Sequence, residues 1–109
     1  MPVKFLIVDD KLRIGSVSYH RELLSYDDKG SRIKGGGIVE FENNDENKII
    51  RFDGGSADYG TFKQSDIKEA ITNTPDLANS LETLGKLVCG DDFEICQRKV
   101  FVRDEEINL

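Results

Sequence analysis

The sequence predicts an α+β fold in which a mixed, mostly antiparallel sheet of five or six strands is flanked by two or three helices. Short apolar or alternating runs, typical of strands, recur along the chain. Turn-forming residues separate the early runs, so hairpins rather than helical crossovers join the first strands. Helical apolar stripes lie mostly in the second half. At 109 residues the chain is expected to form a single domain, residues 1–109, whose core needs no disulfide or metal.

Residues 3–8 and 12–17 are predicted to form the first hairpin. The first run is apolar and ends at a polar turn, and the second alternates between apolar and polar side chains. An acidic pair after the first strand is also found in response-regulator receiver domains, but there a helix follows the pair. The strand–strand order argues against a receiver, so we interpret Asp9 and Asp10 as a solvated turn.

A short helix is predicted to begin at Ser18, a suitable N-cap, and to end near Gly30. Its apolar stripe consists of Tyr19, Leu23 and Leu24. His20 then lies in the first turn, where the positive end of the helix dipole disfavours the imidazolium form. The unpaired N–H groups of the same helix end attract phosphate.

A second hairpin is predicted between two clusters of glycine. Its parts, in chain order, are a triple glycine (35–37), a strand (38–41), a turn (43–47), a strand (49–52) and a closing loop (54–60). Both glycine clusters therefore lie at the same end of the hairpin. The closing loop can present backbone N–H groups and the Ser56 hydroxyl to an oxyanion. The alternative interpretation is a tight turn that leaves the sheet.

Two helices and one or two strands are predicted after the closing loop. The predicted boundaries are a cap at Ser65, a second helix that starts at Thr74-Pro75 and ends at Gly85, strands within 93–102, and a tail over 103–109 that frays. Proline at the first helical position and glycine after the last turn are the signals used for the second helix.

Charge and composition limit the classes of partner and site. The net charge of −6 argues against nucleic acid and anionic membrane as partners. No targeting segment or membrane-spanning run is recognised, so a cytoplasmic protein is expected. Cys89, Cys96 and a single histidine are too few ligands for a zinc site, so we expect no metal and two reduced cysteines.

Several short motifs occur together in one order. They are Lys4 in the first strand, Tyr19-His20 at the predicted helix start, the triple glycine, Gly-Gly-Ser-Ala-Asp-Tyr-Gly over 54–60, and Ile67-Lys68 in a helix. This set resembles the phosphohistidine phosphatase family, also called the Janus family, which has a Tyr-His pair, a triple glycine and Gly-x-Ser-x-x-Tyr-Gly. The resemblance covers residues 3–70 as a family-like core, and residues 74–109 add a helix and a C-terminal strand.

The resemblance implies a Janus-like fold and hydrolysis of phosphohistidine without a metal or other cofactor. His20 would be the catalytic histidine, acting as a general base on water or as the nucleophile. Lys4 would contact the phosphoryl oxygens. Ser56 would supply a hydroxyl and an N–H, and the backbone N–H of Asp58 would complete the phosphate cradle. The implied partner is a phosphohistidine-containing protein or a small phosphoryl ligand.

Two positions depart from the family pattern and keep a second hypothesis open. Ile38 follows the triple glycine where the human member has arginine, and Asp58 stands where that protein has alanine. A carboxylate beside a phosphate pocket opposes phosphate binding by Coulomb repulsion. The alternative is a non-catalytic module of the same fold that binds a protein partner or a phosphate-containing ligand. It would use the glycine-framed cleft or the added C-terminal helix.

Overall fold

The computed structural model describes residues 2–44, 48–94 and 98–109. Within these ranges the chain forms one six-stranded sheet and two α-helices. The elements are β1 (Val3–Val8), β2 (Lys11–Ser16), β3 (Ile33–Asn43), β4 (Lys48–Asp53), α1 (Gln64–Thr72), α2 (Leu77–Cys89), β5 (Lys99–Val102) and β6 (Glu105–Ile107). The strand order is β2-β1-β3-β4-β5-β6, and the neighbours are antiparallel except for the parallel pair β4–β5. The predicted α+β class with a mixed, mostly antiparallel sheet is confirmed.

The hydrophobic core lies between one face of the sheet and the two helices. Phe5 on β1 packs edge-on against Phe52 on β4 and Phe62, with ring centroids 5.4 and 5.2 Å apart. Ile67 of α1 and Leu81 of α2 are fully buried against this cluster. Because side chains alternate along a strand, the residues between these core positions point to the other face of the sheet.

The first hairpin has the predicted boundaries to within one residue. Val8 pairs with Lys11, so Asp9 and Asp10 form a two-residue turn, and both have positive φ, +51° and +61°. Positive φ at both positions is the geometry of a type I′ hairpin turn. The Asp10 carboxylate pairs with Lys34 at 2.6 Å. The interpretation of this acidic pair as a turn is confirmed.

The predicted helix after Ser18 is wrong. The chain forms two 3-10 turns instead, His20–Leu23 and Tyr26–Asp28. The Asp28 carboxylate accepts the Ser25 N–H at 2.6 Å and pairs with Arg13 on β2. Short polar side chains that bond the local backbone in this way compete with an α-helix. The segment lies against the sheet face that the helices leave open, since Leu23 packs beside Gly15 of β2.

Ion pairing and hydrogen bonding hold this segment on the sheet. The Arg13 guanidinium, with help from the Ser25 N–H, holds the pKa of Asp28 well below its usual range. Arg13 also donates to the Leu23 carbonyl at 3.2 Å. Both 3-10 turns are therefore attached to β2 through one side chain.

The second hairpin places its glycines as predicted, but the triple glycine lies inside β3 rather than before it. Val39 pairs with Phe52 and Phe41 pairs with Ile50, and these four side chains lie on the face of the hairpin that packs in the core. The predicted turn over 43–47 lies partly outside the described residues, and Cys96 lies outside them.

The helix boundaries in the second half differ from the predicted ones. The helix α1 starts at Gln64, so Ser65 is not its cap, and α2 starts after Asp76. The Thr74 hydroxyl accepts the Leu12 N–H at 2.9 Å and therefore joins β2 rather than capping α2. No helix in the described ranges is long and apolar enough to cross a membrane.

The glycine predicted to end α2 lies in its interior. The helix continues through Gly85 to Cys89 and ends at Gly90, which has φ +113°. A side chain at position 85 would be blocked, because a Cβ there would lie 2.3 Å from a ring carbon of Phe93. Gly85 is thus required by the close approach of a ring, not by a helix end.

The predicted fraying tail is also wrong, because Glu105–Ile107 forms the edge strand β6. Val102 pairs with Glu105 across a two-residue turn in which Arg103 has φ +54°. The segment 74–109 contributes α2, β5 and β6 to the same sheet and core as the rest of the chain.

Candidate functional site

The His20 ring is held in a defined orientation against β3. His20 is 8% exposed, and its Nε2 lies 2.8 Å from the Gly37 carbonyl oxygen. A carbonyl only accepts, so Nε2 donates, and the lone pair of the neutral form of the ring is on Nδ1. Gly36 makes this seat possible, because a Cβ there would lie 3.3 Å from His20 Cδ2 and 2.4 Å from the Phe5 carbonyl oxygen. The ring orientation therefore depends on two of the three glycines.

The expected effect of a helix dipole on His20 is wrong, because His20 does not lie at the start of an α-helix. His20 opens a 3-10 turn of only four residues, and a macrodipole requires several aligned turns. The Gly37 carbonyl, not a helix end, selects the tautomer. The bond to Gly37 determines which nitrogen carries the proton when the ring is neutral, and the imidazolium form makes the same bond.

Lys4 lies on the same sheet face as His20. Leu6 and His20 both approach the Cβ position of Gly36, and Lys4 is two residues from Leu6 on β1, so all three side chains share that face. The Lys4 ammonium donates to the Ser18 carbonyl at 2.8 Å, two residues before His20. An ammonium has three N–H groups, so this bond leaves donors for an anion.

The closing loop, residues 54–60, is a tight turn held by its own hydrogen bonds. Ser56 and Gly60 exchange backbone bonds of 3.0 and 2.8 Å. The Ser56 hydroxyl accepts the Tyr59 N–H at 3.1 Å, and Ser56 is only 7% exposed. The Ser56 N–H is thus used within the turn, whereas its hydroxyl accepts a bond there and keeps its O–H as a donor.

The remaining N–H groups of the loop lie at its tip. Ala57 and Asp58 are exposed, and within the part of the chain that the structure describes their N–H groups have no hydrogen-bond partner. The Asp58 carboxylate sits on the same tip. The tip can donate to an anion, but it also carries one negative charge beside the donors.

Gly36 of β3 contacts both the His20 ring and the closing loop. Gly36 approaches the His20 ring and donates its N–H to the Gly60 carbonyl at 3.2 Å. On the Lys4 side, Ile38 pairs with Lys4 and packs against Gly54, whose Cβ position is 3.3 Å from Ile38 Cγ1. His20, Lys4 and the loop therefore border the same end of β3. Across the described ranges, no hydrogen bond links His20 or Lys4 to Ser56 or Asp58.

Two arginines near the site carry no motif in the sequence. Arg21 follows His20 and stacks on Tyr19, with Cζ 4.3 Å from the ring centroid. Arg103, from the β5–β6 turn, contacts the segment that follows the loop. The basic residue after the Tyr-His pair could have suggested Arg21, whereas only the sheet topology brings Arg103 to the loop.

Comparisons with protein-family models, with curated protein sequences and with solved structures gave no match. The resemblance to the phosphohistidine phosphatase family therefore depends on the short motifs alone. In the described ranges, no group of three or more His, Cys, Asp or Glu side chains could hold a metal ion.

Proposed function

We propose that the protein is a phosphohistidine phosphatase-like hydrolase of the Janus family that acts without a metal, with His20 as the reacting residue. The observation that carries this proposal is the seat of the ring: Nε2 donates to Gly37, which keeps the lone pair on Nδ1. Lys4 on the same sheet face provides a positive charge for the phosphoryl oxygens. A cytoplasmic location, with a phosphohistidine-containing protein as the partner, fits this activity.

Two routes use the same nitrogen. As a general base, Nδ1 takes a proton from a water molecule while the water oxygen attacks phosphorus. The P–N bond of the substrate breaks in the same step, and the departing imidazole takes up a proton. As a nucleophile, Nδ1 bonds to phosphorus, the P–N bond of the substrate breaks, and the departing imidazole takes up a proton. Water then attacks the phosphorus on His20 and releases inorganic phosphate. On either route Lys4 and the N–H groups at the loop tip offset the charge of the oxyanion.

The proposal is tested by phosphate release from a phosphohistidine-containing peptide. The His20→Gln variant keeps an N–H donor for the Gly37 carbonyl and removes Nδ1. We expect it to lower kcat by about a hundredfold or more, the usual contribution of a positioned base. Lys4→Met is expected to lower kcat/KM about tenfold, since it removes one charge-assisted contact. Lys29→Met, which changes an exposed lysine of the turn segment, is the matched control.

The kinetic result decides the role of His20. Equal rates for the wild type and His20→Gln, or no phosphate release by the wild type, would contradict the proposal. Reactions with radiolabelled substrate separate the two routes when they are quenched in alkali, where the P–N bond of a phosphohistidine is stable. A label that stays on the wild type, but not on His20→Gln, indicates the nucleophile, and turnover without a labelled protein indicates the base.

A second candidate is a non-catalytic module that binds a phosphate-containing ligand or a protein partner at the same end of β3. The observation that favours it is the loop, because the Ser56 N–H is already bonded to Gly60 and Asp58 adds a negative charge at the tip. An NMR titration with inorganic phosphate separates this candidate from an inert surface. Shifts of His20 and of the Ala57 and Asp58 amides without turnover would support the module.

A further inference from the structure

Arg103 binds the segment that directly follows the closing loop. The Arg103 guanidinium donates to the Thr61 hydroxyl at 2.9 Å and to the Phe62 carbonyl at 3.0 Å. Its Cζ lies 3.8 Å from the centroid of the Phe62 ring, within the range of a cation–π contact. A third, longer bond reaches Gln64 Oε1 at 3.4 Å. One side chain thus contacts both residues that directly follow Gly60.

Arg103 is itself fixed to the sheet. It occupies the β5–β6 turn with φ +54°, and its N–H donates to the Phe52 carbonyl at 2.8 Å. Its carbonyl accepts a bond from the Arg51 guanidinium, which stacks on Phe101. The backbone of Arg103 is therefore anchored on β4, while its side chain reaches the loop exit.

On the side away from Arg103, residues 60–62 pack against Gly35 and Gly36 of β3. Gly35 has φ +106°, and a Cβ on it would lie 2.2 Å from the Thr61 carbonyl oxygen. Gly36 donates to Gly60 at 3.2 Å. Residues 60–62 therefore lie between the glycines of β3 and the guanidinium of Arg103.

The geometry points to Arg103 as a positioning residue that holds the closing loop against β3. It acts through Thr61 and Phe62 and does not itself contact the phosphoryl group. Its catalytic consequence rests on the proposed function, in which the N–H groups at the loop tip bind the phosphoryl oxygens. The C-terminal segment 99–107 then has a defined task, because it delivers this arginine to a loop about forty residues earlier in the chain.

Amide hydrogen exchange of the protein without ligand tests the positioning directly. Ser56 and Gly60 report on the loop through their mutual hydrogen bonds, and the fully buried Leu6 of β1, which pairs with both β2 and β3, reports on global unfolding. In Arg103→Met we expect the Ser56 and Gly60 amides to exchange about tenfold faster, as the loss of two hydrogen bonds implies. Arg103→Lys keeps the charge but not the planar fork, and is expected to restore part of the protection.

The matched control is Lys68→Met, which breaks the ion pair between α1 and Glu105 of β6 without touching the loop. It should leave Ser56 and Gly60 unchanged. The inference is overturned if Arg103→Met leaves both amides at the wild-type rate. It is also overturned if the Ser56, Gly60 and Leu6 amides exchange faster by the same factor, because the arginine would then stabilise only the whole fold.

Turnover separates this inference from the proposed function. With a phosphohistidine peptide, Arg103→Met should lower kcat/KM about tenfold, in proportion to the loss of loop protection, and Arg103→Lys should recover part of it. Full activity in Arg103→Met together with loss in His20→Gln would overturn the role of Arg103 and leave the phosphatase intact. If the wild type releases no phosphate, the proposed function fails, and the exchange rates still decide whether Arg103 holds the loop.

Discussion

Replacing Gly85 by alanine is expected to destabilise the protein, although alanine is the better helix former. Phe93 packs on the bare backbone of α2 at this position, and three of its ring carbons would lie 2.3, 2.4 and 2.7 Å from a new Cβ. The ring cannot simply retreat. It is fully buried, meets Phe41 edge-on at 5.7 Å and lies under the Arg98 guanidinium at 4.6 Å.

The magnitude follows from two opposing effects. Forcing a methyl group into a packed core costs about 1–3 kcal/mol, and a fully buried ring held on two sides belongs at the upper end. Alanine in place of glycine in a helix interior returns about 1 kcal/mol. The net loss is about 2 kcal/mol in the free energy of unfolding, which corresponds to a fall of about 10 °C in Tm for a domain of this size.

Thermal and urea denaturation measure this loss, with Asn79→Ala as the control. Asn79 is exposed on the same helix, so alanine there should stabilise by about 0.5 kcal/mol. The double variant Gly85→Ala/Phe93→Leu should be more stable than the sum of its single changes predicts, because the smaller side chain relieves the overlap. If Gly85→Ala raises Tm as Asn79→Ala does, the packing of Phe93 on α2 is refuted.

Three further predictions concern the segment that carries His20 and the loop. Asp28→Asn should lower Tm at pH 7, because the pKa of Asp28 is depressed by Arg13. The difference in Tm between Asp28→Asn and the wild type should shrink as the pH falls below about 4. The interaction with Arg13 stabilises the fold fully above the unfolded-state pKa of the carboxyl, and this stabilisation is lost as the carboxyl of the folded protein is protonated. Gly36→Ala should destabilise by about 1–3 kcal/mol and change the NMR signals of His20, whose Cδ2 would lie 3.3 Å from the new Cβ. Asp58→Ala should tighten phosphate binding about fivefold in a low-salt NMR titration, as removal of one charge roughly 4 Å away implies, and an unchanged affinity would place phosphate elsewhere.

The antiparallel part of the sheet could be predicted from the sequence because its signals are local. The run 3–8 is apolar and ends at two aspartates that accept positive φ, so both the strand and its turn are marked by neighbouring residues. The hairpin of β3 and β4 is marked in the same way by alternation of side chains. The period of two puts Val39 and Phe41 on one face of β3, and that face packs in the core.

The errors fall where particular side-chain and strand contacts, rather than the local sequence pattern, decide the structure. Gly85 has the sequence signal of a helix end, but Phe93 makes it an interior contact. The tail after Val102 is acidic and polar, yet β5 supplies a pairing edge that converts it into β6. For the segment after Ser18, the apolar stripe suggested a helix, whereas bonds from Asp28 to the backbone and to Arg13 select 3-10 turns.

The candidate site shows the same division. The proximity of the two glycine clusters follows from hairpin geometry and could be predicted. The bond from His20 to Gly37 could not, because it depends on how the segment 17–31 folds over the sheet. The tight turn over 54–60 was the alternative that the sequence left open. The roles of Lys4, His20 and Asp58 stay predictions until turnover and binding are measured.

The parallel pairing of β4 with β5 has a consequence for the order of folding. The first four strands pair through connections of moderate length, whereas Ile50 and Val100 must meet across fifty residues of chain. Closing so long a loop is slow, so the C-terminal hairpin is expected to dock last. Until it does, the outer edge of β4 offers unpaired N–H and C=O groups to any strand nearby. During synthesis this edge emerges well before its partner, and the nascent chain is most vulnerable to aggregation in that interval.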